Sequence, residues 1–425
     1  MQESKALVRV QQISVLYLVI WTISPFMEID MIWRIGAFAA FGLWLICAMS
    51  RGLHFEKIHL LALAFVALVV IVNIIQNNGF SKVLRPIQYY MMVLFFIMGH
   101  FYRGKWRELS FIVPIALIFL IYFNFRSAFI VMEDPTVARR LVRNDEDVYI
   151  YLRQGIGGYS LIYPQVVTFP VLAMWVFKSN KQKKLYFVIG IVWLVSYVMF
   201  VLFANYSIAI TGSVISLIIL LFYKGHSVGL AFVVSAGLFV SLILMILYVD
   251  GFRNMLLEFF DGTAVAKKIN DLVATSESGA AEGSINDRIV EYQATIACIF
   301  RYPVIGGLWN GSGGSHSTLG GMFSQYGLFG GYVFCKVFYS VPSFYRKDYA
   351  YKQIQRLANA NLVVLLFVSL LDTVSYSFLG MVLVITPILY ECIIEWDGLT
   401  ANNEETTKIE KEEVQNVPVT LPETT

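Results

Sequence analysis

Apolar runs long enough to cross the roughly 30 Å hydrocarbon core of a bilayer recur from one end of this chain to the other. Short stretches carrying charge, glycine or proline separate them. In lipid the backbone must satisfy its own hydrogen bonds, so each run is read as a helix and the fold as all-α. Composition removes the soluble alternative. With 58% hydrophobic and 14% charged residues over 425 positions, too little polar surface is left to face water.

Twelve runs are read as spans: Ile13 to Phe26, Met31 to Met49, Ile58 to Ile75, Ile87 to Phe101, Leu109 to Val131, Leu161 to Phe177, Leu185 to Ala204, Ile208 to Tyr223, Val228 to Val249, Leu319 to Val341, Ala358 to Leu371 and Val374 to Ile394. Together they make one transmembrane domain over residues 1–395, followed by a polar, Glu- and Thr-rich tail, 396–425, that is expected to be disordered. No small-residue cleavage pattern follows the first span, which is therefore expected to be retained.

Basic residues in short loops stay in the cytoplasm and fix orientation. Lys178, Lys181, Lys183 and Lys184 form the strongest cluster, and Arg103, Lys105, Arg107, Arg346, Lys347, Lys352 and Arg356 fall on the same side. Both termini are then cytoplasmic, with Lys82 and Arg85 as the exception. Two long loops, 132–160 and 249–318, face outward.

Those loops carry the candidate chemistry. The first mixes Arg139, Arg140, Arg143 and Arg153 with Glu133, Asp134, Asp145, Glu146 and Asp147, which describes a solvated, internally paired segment. Arg153 stands apart because it precedes Gly155, Gly157, Gly158 and Tyr159, where flexible backbone could present a guanidinium to a membrane-bound anion. In the second loop Ser284-x-x-Asp287 has capping-box spacing and predicts a helix from Ser284 to about Phe300. Arg288, Tyr292 and Thr295 would share one face, with Arg288 in the first turn, where helix-start amides and a guanidinium suit a phosphate oxygen. Pairing of Arg288 with Glu291 or Asp287 is the competing reading.

Ten glycines follow between Gly306 and Gly331. They permit either close approach of a ligand or tight packing of helices. No Gly-Lys-Ser/Thr follows, so this is not a nucleotide-binding loop. Of the five histidines, only His316 is placed outside, where an imidazole could accept a proton from a hydroxyl or bind a phosphate.

Taken in order, Arg288 and Tyr292, Pro303 and Gly306, His316, then Tyr326-Gly327-Leu328-Phe329-Gly330 resemble the Wzy/WaaL family of O-antigen polymerases and ligases. That resemblance implies a GT-C-type glycosyltransferase in the bacterial cytoplasmic membrane, inverting and independent of metal or other cofactor. It implies undecaprenyl-diphosphate-linked oligosaccharides as donor and acceptor, membrane lipid around them, a chain-length regulator protein as partner, and no nucleic acid. Arg288 would clamp the diphosphate and His316 would orient or deprotonate the attacking hydroxyl. Where the family often has a Ser-Arg pair, this chain has Asn205-Tyr206-Ser207-Ile208, so a second diphosphate-binding cation must come from elsewhere. Arg153, Arg126 and Arg34 are the candidates. Arg126 and Arg34 lie within spans, where charge usually faces protein or a watery cavity. Snorkelling to the interface, or an Asp30–Arg34 pair across one helical turn, competes with that role.

Tyr292, Tyr159, Tyr206 and Trp309 could stack on sugar rings, with packing as the alternative. The four cysteines show no metal spacing, and no metal is expected. Repeat-unit polymerase is the leading expectation. A ligase moving finished glycan to another acceptor is the second, and a transporter or flippase for the lipid-linked glycan the third.

Overall fold

The computed structural model describes residues 5–28, 30–76, 87–134, 136–143, 148–204, 206–222, 228–261, 264–278, 283–307, 317–341, 349–372 and 378–396, among which there is no strand. The helices in chain order are α1 (Lys5–Ile23), α2 (Met31–Ser50), α3 (Lys57–Gln76), α4 (Ile87–Phe101), α5 (Ile112–Glu133), α6 (Thr136–Arg143), α7 (Val148–Arg153), α8 (Tyr159–Gln182) and α9 (Lys184–Ala204). They continue with α10 (Ser207–Phe222), α11 (Val228–Tyr248), α12 (Asp250–Phe259), α13 (Ala264–Ser278), α14 (Gly283–Arg301), α15 (Thr318–Phe338), α16 (Tyr349–Leu371) and α17 (Leu379–Trp396). This is an all-α, multi-pass membrane architecture. Seven helices, α1, α2, α5, α8, α9, α16 and α17, are long and apolar enough to cross a membrane, and the count is eight if α11 and α12, bent by 99° at Val249, form one broken span.

The described part of every apolar run lies on a helix, but the bounds shift for physical reasons. α1 begins at Lys5 rather than Ile13, because Gln11 and Gln12, which interrupt the apolar run, are satisfied inside the protein. Gln11 accepts from Arg51, and Gln12 donates to the Glu108 carbonyl at 2.7 Å. α16 begins at Tyr349 rather than Ala358, taking into the helix the polar stretch that carries Gln355 and Arg356. The segments 132–160 and 249–318 are also more helical than expected. The first contains α6 and α7, and the second contains α12, α13 and α14 where a single short helix was foreseen.

The most enclosed helices are α8 and α17, each with 83% of its apolar window buried, against 33% for α2, so these two form the axis of the bundle. Polar side chains fasten α8 to α5 and α9. Asn124 and Gln165 exchange two amide hydrogen bonds of 2.9 Å, the Trp193 indole donates to Gln165 at 3.0 Å, and Asn124 donates to Ser196 at 3.3 Å. Lipid gives no hydrophobic drive between helices, so such a buried, mutually satisfied set helps to define their register. Gly190 lets α9 close on α8, since a Cβ there would stand 2.5 Å from Val176.

At one end of α2 Arg51 forms a two-pronged ion pair with Glu108, with contacts of 3.0 and 3.2 Å, and lies over the Phe101 ring. In α17 the seven residues Leu379–Ile385 wind as a π-helix, and the Thr386 hydroxyl donates five residues back to the Met381 carbonyl at 3.0 Å.

Candidate functional site

The site grows from one face of α14. Arg288, Tyr292 and Thr295 recur at four- and three-residue spacing, as expected from the sequence, and that face lies on the final turn of α16. Arg288 Nη1 donates to the Leu371 carbonyl at 2.9 Å, and the Tyr292 hydroxyl donates to the Leu370 carbonyl at 3.1 Å. These carbonyls belong to the last turn of a helix, which has no intrahelical donors for them, and a cation there is also favoured by the helix dipole. Arg288 therefore caps α16. A guanidinium has five N–H donors, so this contact does not exhaust it. The start of α15 docks at the same place. Ser317 caps α15 by accepting from Gly320 N–H at 3.0 Å and donates to the Ser369 carbonyl at 3.1 Å, while Thr318 N–H donates to the Asp372 carbonyl at 3.1 Å.

Asp372 follows α16 directly and is only 6% exposed. Tyr163 donates its hydroxyl to the Asp372 carboxylate at 3.2 Å. Tyr159 stacks on Tyr163 with ring centres 4.7 Å apart, and Tyr206 meets Tyr159 edge-on at 4.4 Å. Both Asp372 and Arg288 act electrostatically on Tyr159 and on Tyr292. The Tyr292 phenol is raised above its ordinary value by burial, with Arg288 opposing and Asp372 reinforcing that shift. Burial, helped by Tyr159, pushes the Tyr206 phenol well up. Both hydroxyls therefore stay protonated at neutral pH; the half-buried Tyr292 ring offers a stacking face, whereas Tyr206 is 5% exposed and donates its hydroxyl to the Ala138 carbonyl at 3.3 Å, which favours the packing reading for it.

The glycine motifs turn out to be a joint. Gly306 and Gly327 both have positive φ, 71° and 65°. A Cβ on Gly327 would lie 2.1 Å from the Val304 carbonyl oxygen, and one on Gly306 would lie 2.4 Å from Gln325 backbone. Leu328 N–H donates to the Pro303 carbonyl at 2.8 Å and Gly307 N–H to the Ser324 carbonyl at 2.6 Å. Pro303-x-x-Gly306 thus plugs backbone to backbone into a break in α15 at Gly327, which favours the packing reading for these two glycines and fixes α14 on α15.

Of the other expected residues, Arg153 pairs with Asp30 at 3.5 Å with both side chains largely exposed, so Asp30, for which Arg34 was the expected partner, is joined to Arg153. Arg126 donates to the Gln154 carbonyl and flanks Gly155. Arg34 lies in the first turn of α2, after Asp30. The short segment 154–158 connects Arg153 and Arg126 to Tyr159; within it Gly157 N–H donates to Ser127 at 2.9 Å. His316, Trp309, Lys82 and Arg85 lie outside the described residues, as does the tail from 397, while the side chains of Ser284, Asp287, Arg139 and Arg143 are likewise undescribed.

Sequence reasoning missed Asp372, to which Tyr163 of α8 donates. The available signal was a carboxylate in the two-residue break between the eleventh and twelfth apolar runs, where an ionisable residue at membrane depth deserves a functional reading. The chain matches no protein-family model, and no curated protein matches it.

Proposed function

We propose that the protein polymerises undecaprenyl-diphosphate-linked oligosaccharide repeat units into a surface polysaccharide such as O-antigen or capsule. The observation that carries this reading is the linkage of Arg288, Tyr292, Tyr159 and Tyr206, drawn from three separate parts of the chain, around the buried Asp372. A cation, a carboxylate and a wall of phenols suit a diphosphate joined to a sugar: the guanidinium matches phosphate oxygens, and tyrosine rings match sugar faces.

In this mechanism an acceptor-sugar hydroxyl attacks the donor's anomeric carbon from the face opposite the diphosphate. The new C–O bond forms as the bond to the diphosphate oxygen breaks, and the electron pair leaves with undecaprenyl diphosphate. Arg288 neutralises that growing charge, which is stabilisation confined to the transition state. His316 takes the hydroxyl proton. Asp372 orients Tyr163 and, through the stacked rings, Tyr159. Arg153, Arg126 and Arg34 supply the second cation across the segment 154–158. No metal or nucleotide takes part in the scheme, and a chain-length regulator is the proposed protein partner.

The topology that goes with this mechanism has twelve crossings. To the seven long apolar helices it adds α3, α4 and α10, whose apolar cores are shorter, the bent α11 with α12, and the glycine-rich α15. Both termini and the polar tail are cytoplasmic, the protein resides in the bacterial cytoplasmic membrane, and Asp372 and Arg288 open to its outer face.

The deciding assay incubates protein in membranes with lipid-linked repeat units and sizes the products. A polymerase gives a ladder that disappears in Arg288→Ala and weakens in His316→Ala. Full ladders in both variants would remove this site. A normal ladder whose transfer to a final acceptor alone depends on the protein would identify a ligase, and movement of intact units without growth would identify a transporter.

A further inference from the structure

A cavity of about 850 Å³ lies where α3, α4 and α15 pack together. It is lined by Lys57, Lys336 and His100 among Ile58, Leu61, Phe96, Tyr332 and Tyr339, and no carboxylate is among its lining residues. Lys57 opens α3, His100 is in the last turn of α4 and Lys336 is in the last turn of α15. Three apolar helices therefore begin or end at one level, which is where a bilayer passes from hydrocarbon to headgroups. The Tyr339 hydroxyl in the cavity wall meets the Ser369 hydroxyl at 3.1 Å, and α15 is broken at Gly327, so the cavity borders the last turn of α16.

The chemistry of the walls is divided. Lys57 and Lys336 are exposed, and the Lys336 ammonium stands 5.6 Å from the centre of the Tyr332 ring, which holds its stem against the helix. His100 Nδ1 is 3.1 Å from the Phe96 carbonyl and so carries the proton, which places Nε2 at the other edge of the ring. Behind it, with ring centres 4.6 Å apart, stands His59, only 1% exposed. His59 Nδ1 accepts from Glu56 N–H at 3.0 Å, which puts its proton on Nε2, and that buried atom has no hydrogen-bond partner among the described residues. Glu56, beside Lys57, is the nearest carboxylate in the sequence and acts electrostatically on both histidines. The remaining walls are aliphatic and aromatic, and Leu60, Leu63 and Tyr332 around the opening are exposed as lipid-facing residues are.

We propose that this cavity binds the phosphate of an anionic glycerophospholipid, with Lys57, Lys336 and His100 holding the headgroup and Ile58, Leu61 and Phe96 receiving the upper acyl chain. Its volume falls in the roughly 300–1,000 Å³ range of small-molecule sites, and two ammonium groups above an apolar wall match a phosphodiester carried on hydrocarbon better than a free ion. The proposal does not depend on the glycosyl-transfer reading, because none of the residues it uses has a role in that mechanism.

The test uses the full chain, purified in detergent and stripped of lipid, with bound lipid counted by native mass spectrometry and binding followed by titration. Phosphatidylglycerol should bind in preference to phosphatidylcholine. Replacing each lysine should weaken it about five-fold, so Lys57→Ala/Lys336→Ala should lose about 25-fold. Both positions are exposed, and Lys57→Arg/Lys336→Arg should restore most of the binding. Lys178→Ala/Lys184→Ala, which removes the same charge from another loop, should change nothing. Equal binding of phosphatidylcholine, equal loss in the Lys178/Lys184 pair, or displacement of phosphatidylglycerol by equimolar inorganic phosphate would each overturn the proposal.

Discussion

Two arginines at helix ends, Arg51 and Arg288, hold the protein together in opposite ways. Arg51 is only 2% exposed, gripped by both oxygens of Glu108, by Gln11 and by the Phe101 face, so its charge is matched where it stands. Arg288 is fixed by the neutral Leu371 carbonyl and shares its field with Asp372 and with the phenols of Tyr159 and Tyr292. A buried charge matched by a carboxylate serves as a fastener. A charge positioned by a carbonyl keeps donors for something that arrives later, and under the proposed function that visitor is a diphosphate.

The largest expected effect breaks the fastener. Arg51→Ala should lower folding stability by about 3–5 kcal/mol, because Glu108 is left without its cation, while activity per folded molecule is unchanged. Arg51→Met with Glu108→Met should recover most of that loss, and unfolding midpoints in detergent measure both. Arg288→Ala should do the reverse. Repeat-unit joining should fall about 100- to 1,000-fold, roughly 3–4 kcal/mol, with the midpoint little changed and Arg288→Lys intermediate. If Arg288→Ala instead unfolds early and keeps its rate per folded molecule, Arg288 is only a cap for α16.

Smaller effects refine the contrast. Gly327→Ala should cost about 1–3 kcal/mol through its positive φ, and more where the Cβ meets Val304, loosening α14 and with it the placement of Arg288. Arg153→Ala removes an exposed pair and should change stability by less than about 1 kcal/mol, yet slow turnover at low donor concentration. Equal rates at every donor concentration would exclude Arg153 from diphosphate binding. Tyr292 carries the weakest signal. Its folded pKa lies above the ordinary phenol value near 10, so its contribution to stability is full below that value and is lost as pH rises through the folded pKa. Comparing alkaline unfolding of wild type and Tyr292→Phe reads that contribution directly.

Periodicity made the helices legible, because a run of apolar residues in lipid has few other options. It misplaced the start of α1, since Gln11 and Gln12 look like a break until Arg51 and Glu108 are seen to receive them. The face of Arg288, Tyr292 and Thr295 could be read because helical spacing is local. Asp372 could not, because its importance comes from Tyr163, 209 positions away, and from α14 closing over it. The meeting of Pro303 with Leu328, and of Gly306 and Gly327 with each other's segments, was hidden for the same reason. A glycine in sequence offers freedom, and only the neighbour that occupies the space shows how the freedom is used.

The π-wound stretch of α17 has a consequence of its own. A π turn accommodates one residue more than the α-helix it interrupts, and at about 100° per residue that extra residue rotates everything beyond it to a new azimuth. Leu379–Ile385 therefore acts as a phase shifter: it lets Gly380 meet Thr22 of α1 while Tyr390 and Trp396 further along remain buried. Deleting one residue inside it should restore an unbroken α-helix with Tyr390 and Trp396 still on the faces they now occupy, whereas winding the full-length stretch as an α-helix would turn both by about 100°.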